Sequence, residues 1–354
     1  MLTTLATRMQ SSLIMALSTP DFIRALPKAE LHLHIEGTLE PELVFALAAK
    51  HGIELPYRSV AELRAAYRFR DLQSFLDLYY CVTSVLRDEA DFRLLARSYM
   101  LRAREDGVVH TEIFFDPQAH AAHGVPLAVV MAGLTQGLDE AQQQTGITHR
   151  LILCFLRHLS AEDALQTLQQ ALPWRHRLAA VGLDSSEKGN PPSKFAAVFA
   201  RARSLGLLAV AHAGEEGPPA YIEQALDLLH VQRIDHGVRC VEDPALVARL
   251  ARERRPLTVC PLSNVRLRVF ARMADHNLKA LLEQGLCVTV NSDDPAYFGG
   301  YLQDNFLAVA QSLGLSHAQL AQLARNSIEA SFLEPHSKQG WYVKIDQLAR
   351  DQPR

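Results

Sequence analysis

His32 and His34 stand two residues apart in AELHLHIEG, residues 29 to 37, alternating with Leu31, Leu33 and Ile35. On a strand, residues two apart share a face, so the two imidazoles project side by side. Neutral imidazoles paired in this way make half of a metal site, although an isolated His-x-His is more often two hydrogen-bonded core histidines. Further polar residues bear on the choice. GLDSSE carries Asp184 and Glu187, AHAGEE carries His212 and Glu215, IDHG carries His236, and NSDDP carries Asp293 and Asp294. Singly, a DHG is an ordinary turn and a DDP an ordinary helix cap. Jointly, three imidazoles and one carboxylate suit a zinc-like cation, which lowers the pKa of a bound water from 15.7 to about 7. Two more acids and a histidine then remain to move protons and orient a substrate.

Each of these motifs ends an apolar run. The runs are residues 29 to 35, 108 to 115, 149 to 156, 178 to 184, 207 to 213, 233 to 237, 256 to 262 and 286 to 292. Amphipathic stretches with apolar residues at i, i+3 and i+4 separate them, as at 126 to 144, 193 to 206 and 244 to 255. Near-continuous apolar strands alternating with helices predict a parallel sheet covered on its outside. Eight such units over roughly 270 residues predict an α/β fold, a (β/α)8 TIM barrel, whose active sites lie at the carboxyl ends of the strands. The segment 38 to 106 is too long for one crossover helix and predicts a helical insertion after strand 1, of the kind that makes lids. Residues 303 to 354 predict two or three extra C-terminal helices.

The composition agrees. Of 354 residues, 48% are hydrophobic and 21% charged, with mean hydropathy −0.02, as in a globular protein. A net charge of −3 and a pI near 6.6 argue against nucleic acid and membrane partners and for a small-molecule ligand. Five cysteines with no CxxC, four of them in or beside apolar runs, predict reduced thiols in a cytoplasmic protein. Residues 1 to 20 predict a disordered extension and 21 to 354 a single domain; the sequence is silent on oligomeric state.

HLHIEGTLEPE, VAHAGEEG, RIDHGVR, CPLSN and VTVNSDDPAYF, in this order, resemble the adenosine and adenine deaminase family of the amidohydrolase superfamily. The resemblance runs from about Leu26 to Leu333. It implies that His32, His34, His212 and Asp293 ligate zinc, that Glu215 carries a proton to purine N1, that His236 orients the attacking hydroxide, and that Asp294 bonds purine N7. Superfamily members with two metals bridge them with a lysine at the end of strand 4. LAAVGLDSSE has none and Lys188 comes too late, so one ion per chain is expected, with Fe²⁺ or Mn²⁺ as alternatives to Zn²⁺.

Within the family, the adenine-specific branch is the closer match. Nucleoside deaminases read DLAGDE after strand 4, whereas this chain reads GLDSSEKGNPP, with Glu187 at the glycine position. FFDPQAH, residues 114 to 120, also resembles the free-base enzymes. Asp184 and Glu187 are therefore expected to face the substrate, Glu187 accepting from a ring N–H that adenosine lacks. The implied reaction is hydrolysis of adenine to hypoxanthine and ammonia in purine salvage; adenosine deamination and an inactive purine-binding barrel are the alternatives. HTE at 110 to 112 lacks the PCxxC of the other zinc deaminases and reads as strand, His51, His120, His123 and His230 as surface or capping residues, and Arg252, Arg254 and Arg255 as a solvated helix end.

Overall fold

In the computed structural model of the chain, residues 17–351 are described. The strands are β1 (Lys28–His34), β2 (Val108–Phe115), β3 (Thr148–Leu156), β4 (Leu178–Asp184), β5 (Leu208–Ala213), β6 (Arg233–His236), β7 (Leu257–Val259) and β8 (Val288–Val290). They form one eight-stranded sheet in sequence order, and every pairing is parallel. Just beyond β8, Asp293 closes the ring: its N–H donates to the His32 carbonyl and its carbonyl accepts from the His34 N–H, both at 3.0 Å.

The pleat sorts side chains into two cores. Leu31, Leu33 and Ile35 join the large apolar layer between sheet and helices, whereas Phe114, Ile152, Cys154, Ala180 and Val210 form a second cluster. His32 and His34 share that second cluster's side, with ring centroids 5.2 and 5.0 Å from Phe114. The period of two has thus sent the leucines outward and the histidines inward.

The insertion after β1 folds as four helices, α1 of the chain being Thr19–Ala25: α2 (Pro41–His51), α3 (Val60–Ala66), α4 (Leu72–Thr83) and α5 (Glu89–Glu105). Asp71 and Ser74 form a reciprocal capping box that starts α4. Past β2 the chain enters α6 (Pro117–Ala122). Three terminal helices follow the barrel, Leu302–Leu313, His317–Ala330 and Pro335–Arg350. The middle one clamps the seam, with Ser327 Oγ accepting from Ala29 N at 2.9 Å and Asn326 Nδ2 donating to the Val288 carbonyl at 2.8 Å.

Two strands are shorter than their apolar runs. β7 stops at Val259 because Pro261 opens the helix Pro261–Arg266, and β8 gives way to a polar segment whose Asn291 and Ser292 side chains bond neighbouring strands. The expected N-terminal extension lies outside the described residues up to residue 16. At its end, Thr19 and Pro20 already belong to α1, which Ser18 caps by accepting from Asp21 N. Among the described residues no helix is long and apolar enough to cross a membrane.

Candidate active site

His32, His34, His212 and Asp293 each place one ligand atom within 4.8 Å of the others, and all four are buried. His32 Nε2 lies 3.2 Å and His34 Nε2 3.6 Å from Asp293 Oδ1, and His34 Nε2 lies 3.3 Å from His212 Nε2. The donor set fits a metal on its own chemistry. His32 Nδ1 sits 3.1 Å from the Thr258 carbonyl, which only accepts, so Nδ1 carries the proton and Nε2 presents its lone pair. That Nε2 has no hydrogen-bond partner although fully buried. His34 Nδ1 and His212 Nδ1 face Asp184 Oδ2 and Asp235 Oδ2 at 3.6 and 3.7 Å, beyond hydrogen-bond length, and their Nε2 atoms face each other. A second grouping, His32, His236, Cys260 and Asp293, is equally tight. Burial, and then Asp293, push the Cys260 thiol well above its usual range, so the first set is the better ligand shell.

Charge in this cluster favours neutral His212 and His236 and an ionised Asp293, while at His32 burial is outweighed by Asp293 and Asp235, which raise its pKa. Burial, and then His32, hold His212 well below its ordinary pKa and His236 at about 3. For Asp293 burial works the other way, but His32, His236 and His34 outweigh it and keep the carboxylate ionised. Asp293 and His236 both take left-handed backbone conformations, φ 62° and 65°. Such strain at strand ends aims side chains that ordinary extension would turn away.

Glu215 and His236 stand beside the ligand shell. His236 Nε2 is 3.5 Å from Glu215 Oε2 and 3.8 Å from Asp293 Oδ2. Burial, and then Asp293, raise the Glu215 carboxyl well above the usual range. Asn264, from CPLSN, ties the two together: its Nδ2 lies 3.4 Å from Glu215 Oε1 and 3.3 Å from His236 Nδ1. Asp294 is buried with Oδ1 unpartnered, and burial followed by Asp293 raises its carboxyl as well. A Cβ on Gly37 would come within 2.2 Å of Asp294 Oδ1, so only glycine lets this carboxyl into place.

His34, His212, Glu215, His236, Asp293 and Asp294 line one cavity. Asp116, Asp184 and Ser185 form part of its wall, and α4 lies across it with Leu72, Phe75, Leu76, Tyr79 and Tyr80. The insertion is therefore the lid expected from its length. Tyr80 Oη donates to Ser185 Oγ at 3.0 Å, joining lid to barrel.

The structure corrects the expectation for Glu187. Its carboxylate accepts from four backbone N–H groups, Gly214 at 2.7 Å, Glu215 at 3.1 Å, Glu216 at 2.8 Å and Gly217 at 2.7 Å. A carboxylate has about four acceptor positions, so none is left for a substrate. Glu187 is buried behind the loop after β5 and does not line the cavity. His120 is corrected too. It is buried, with Nε2 2.7 Å from Glu36 Oε1, and Glu36 also takes the Asp116 N–H at 3.1 Å. His51 is likewise engaged, 2.7 Å from Asp91.

Several participants went unrecognised in the sequence. Asp235 was in view within RIDHG, and Asn264 within CPLSN. Arg157 after β3 carried the same strand-end signal as the others; its Nη1 donates to the His212 carbonyl at 2.7 Å. Thr258, behind His32, is one hydroxyl in an apolar run and carried no signal.

Fold and site together define a (β/α)8 hydrolase with a candidate metal centre. The chain belongs to the adenosine deaminase family, whose profile matches residues 27–348. Adenine deaminase of Acinetobacter baylyi is 58% identical, over 93% of this chain and 99% of that protein. Adenine deaminase of Streptomyces coelicolor is 62% identical, over 89% and 92%. The crystal structure of adenine deaminase from Arthrobacter aurescens superposes with a TM-score of 0.90 at 52% identity, covering 92% of this chain and 99% of that one. A zinc-bound amidohydrolase from Burkhoderia ambifaria superposes with a TM-score of 0.86 at 28% identity, over 94% of this chain and 95% of that one.

Proposed function

We propose that this chain is a zinc-dependent adenine deaminase, acting in the cytoplasm on adenine and water to give hypoxanthine and ammonia. The observation that carries the reading is the convergence of three imidazoles and Asp293 beside a buried Glu215 in one cavity that α4 lines. Support for adenine as substrate comes from relatives of that name at 58 to 62% identity across nearly the whole chain.

His32, His34, His212 and Asp293 would hold one zinc ion, which supplies hydroxide at neutral pH by acidifying a water. The chain's own residues do the rest. Glu215 gives its proton to N1, which makes C6 electrophilic and turns the exocyclic amine toward a leaving group. His236, neutral because burial and His32 depress its pKa, accepts from Asn264 Nδ2 at Nδ1, so its Nε2–H donates to the attacking oxygen and aims it. Asp294, held protonated, donates to N7 and fixes the ring. α4 shuts out bulk water while the proton moves between Glu215 and the substrate.

Ammonia release across a panel of purine bases and nucleosides tests the reading. Adenine is expected to exceed adenosine in kcat/KM by orders of magnitude. A chain that prefers adenosine refutes the free-base assignment, and one that releases no ammonia from any purine refutes the enzyme.

A further inference from the structure

Asp116 and Asp184 make a polar wall that the reaction, as derived, leaves unused. Both are buried and both line the cavity. An oxygen of each and a ring nitrogen of His34 lie within 4.8 Å of one another. Neither Asp184 oxygen has a hydrogen-bond partner, nor has Asp116 Oδ1. Buried carboxyl oxygens are ordinarily satisfied, because stranding one is costly. Asp116 precedes α6 at the N-cap position yet makes no side-chain cap bond. Glu36 fixes it through the backbone N–H instead, leaving its carboxylate to the cavity.

The order of residues around the barrel indicates what this wall meets. Asp294 follows β8, Asp116 follows β2, Asp184 ends β4 and Glu215 follows β5, which is their order round the closed sheet. Round a purine, from one side of C6 to the other, the nitrogens run N7, N9, N3, N1. With N7 at Asp294 and N1 at Glu215, N9 falls on the Asp116 side and N3 on the Asp184 side.

We propose that Asp116 accepts the N9–H of the free base, with Asp184 completing the subsite along the N3–N9 edge, and that this wall discriminates a free base from its nucleoside. The proposal rests on the adenine reading and takes over the role that Glu187, spent on backbone amides, does not have. A base alkylated at N9 has no proton to give and sets carbon against Asp116 Oδ1. Sites built to bond an N–H reject analogues that lack it by about 10⁴ to 10⁵.

The test uses the metal-loaded enzyme, with kcat and KM measured for adenine and for 9-methyladenine in wild type, Asp116→Ala and the isosteric Asp116→Asn. Where 9-methyladenine turns over too slowly to follow, its inhibition constant against adenine is read instead. Wild type is expected to favour adenine at least about 10³-fold. In Asp116→Ala the KM for adenine should rise about 10²-fold with kcat nearly kept, 9-methyladenine should be handled no worse than by wild type, and the preference should fall by at least about 10²-fold. Asp116→Asn keeps an acceptor oxygen and should fall between. A preference that survives both substitutions, or a parallel loss on both substrates, overturns the proposal. Two metal ions per wild-type chain, falling to one in Asp116→Asn, would make the wall a cation site and also overturn it. Wild type that handles adenine and 9-methyladenine equally refutes the free-base reading itself, before Asp116 is touched.

Discussion

Glu187 holds the backbone N–H of Glu215 at 3.1 Å, so a carboxylate beyond the end of β4 positions Glu215 beyond β5. Glu187→Gln replaces one acceptor oxygen with a donor facing backbone N–H groups. The variant should lose stability by about 1 to 3 kcal/mol through unsatisfied amides. It should also lower kcat by about 10- to 100-fold with the metal retained, since Glu215 is displaced. Thermal melts, elemental analysis and steady-state rates check this together; unchanged kcat would show that the loop keeps its form without Glu187.

The ligand shell predicts about one divalent ion per chain, because four protein groups leave room for a water. His212→Ala should lose both metal and turnover. Elemental analysis of wild type and variant measures it, and full activity after exhaustive chelation would refute the metal reading.

Glu215→Gln separates the proton from the metal. The ion should stay, and kcat should fall by about 10² to 10⁴, the usual contribution of a positioned acid. Loss of metal in that variant would instead make Glu215 a ligand.

Gly37→Ala puts a Cβ within 2.2 Å of Asp294 Oδ1. The carboxyl must then shift away from the base, and KM for adenine should rise at least about tenfold with metal content unchanged. An unaltered KM would remove Asp294 from the substrate contacts.

A buried ion pair away from the cavity sets a pH limit on stability. Burial pushes the Glu112 carboxyl up, but Arg233 and His110 outweigh it and hold it at about 2. Glu112 Oε2 bonds Arg233 Nη1, and both residues are fully buried. Because the folded pKa lies below the ordinary 4.5, the pair stabilises the fold fully above pH 4.5 and loses its effect as pH falls toward 2. Denaturation midpoints should drop through that window, and Arg233→Ala should cost about 3 to 5 kcal/mol at neutral pH. A variant as stable as wild type would show that solvent reaches Glu112.

The barrel and the clustering of His32, His34, His212 and Asp293 were legible because β-strand periodicity and strand-end position are local properties. HLH, AHAGEE, DHG and SDD each declare a face and an end within a few residues. Glu187 was misread because its partners lie 27 to 30 residues along the chain and are backbone groups, which no side-chain pattern announces. His120 was misread for a like reason, since its acceptor Glu36 is 84 residues away. α4 showed as a helix, but which of its residues cover the cavity depends on how the insertion folds back over the barrel.

The seam of the barrel and the metal shell are one and the same place. Asp293 hydrogen-bonds the backbone of His32 and His34 while offering its carboxylate beside their imidazoles, and 260 residues separate Leu31 from its partner Asn291 in the same seam. A chain still emerging from the ribosome has three of the four ligands once His212 is made, and lacks the fourth until β8 has passed. The four residues therefore meet only after synthesis has run past Asp293 and the first and last strands have paired. A chain ended before Asp293 would leave His32, His34 and His212 without the carboxylate that stands beside them here.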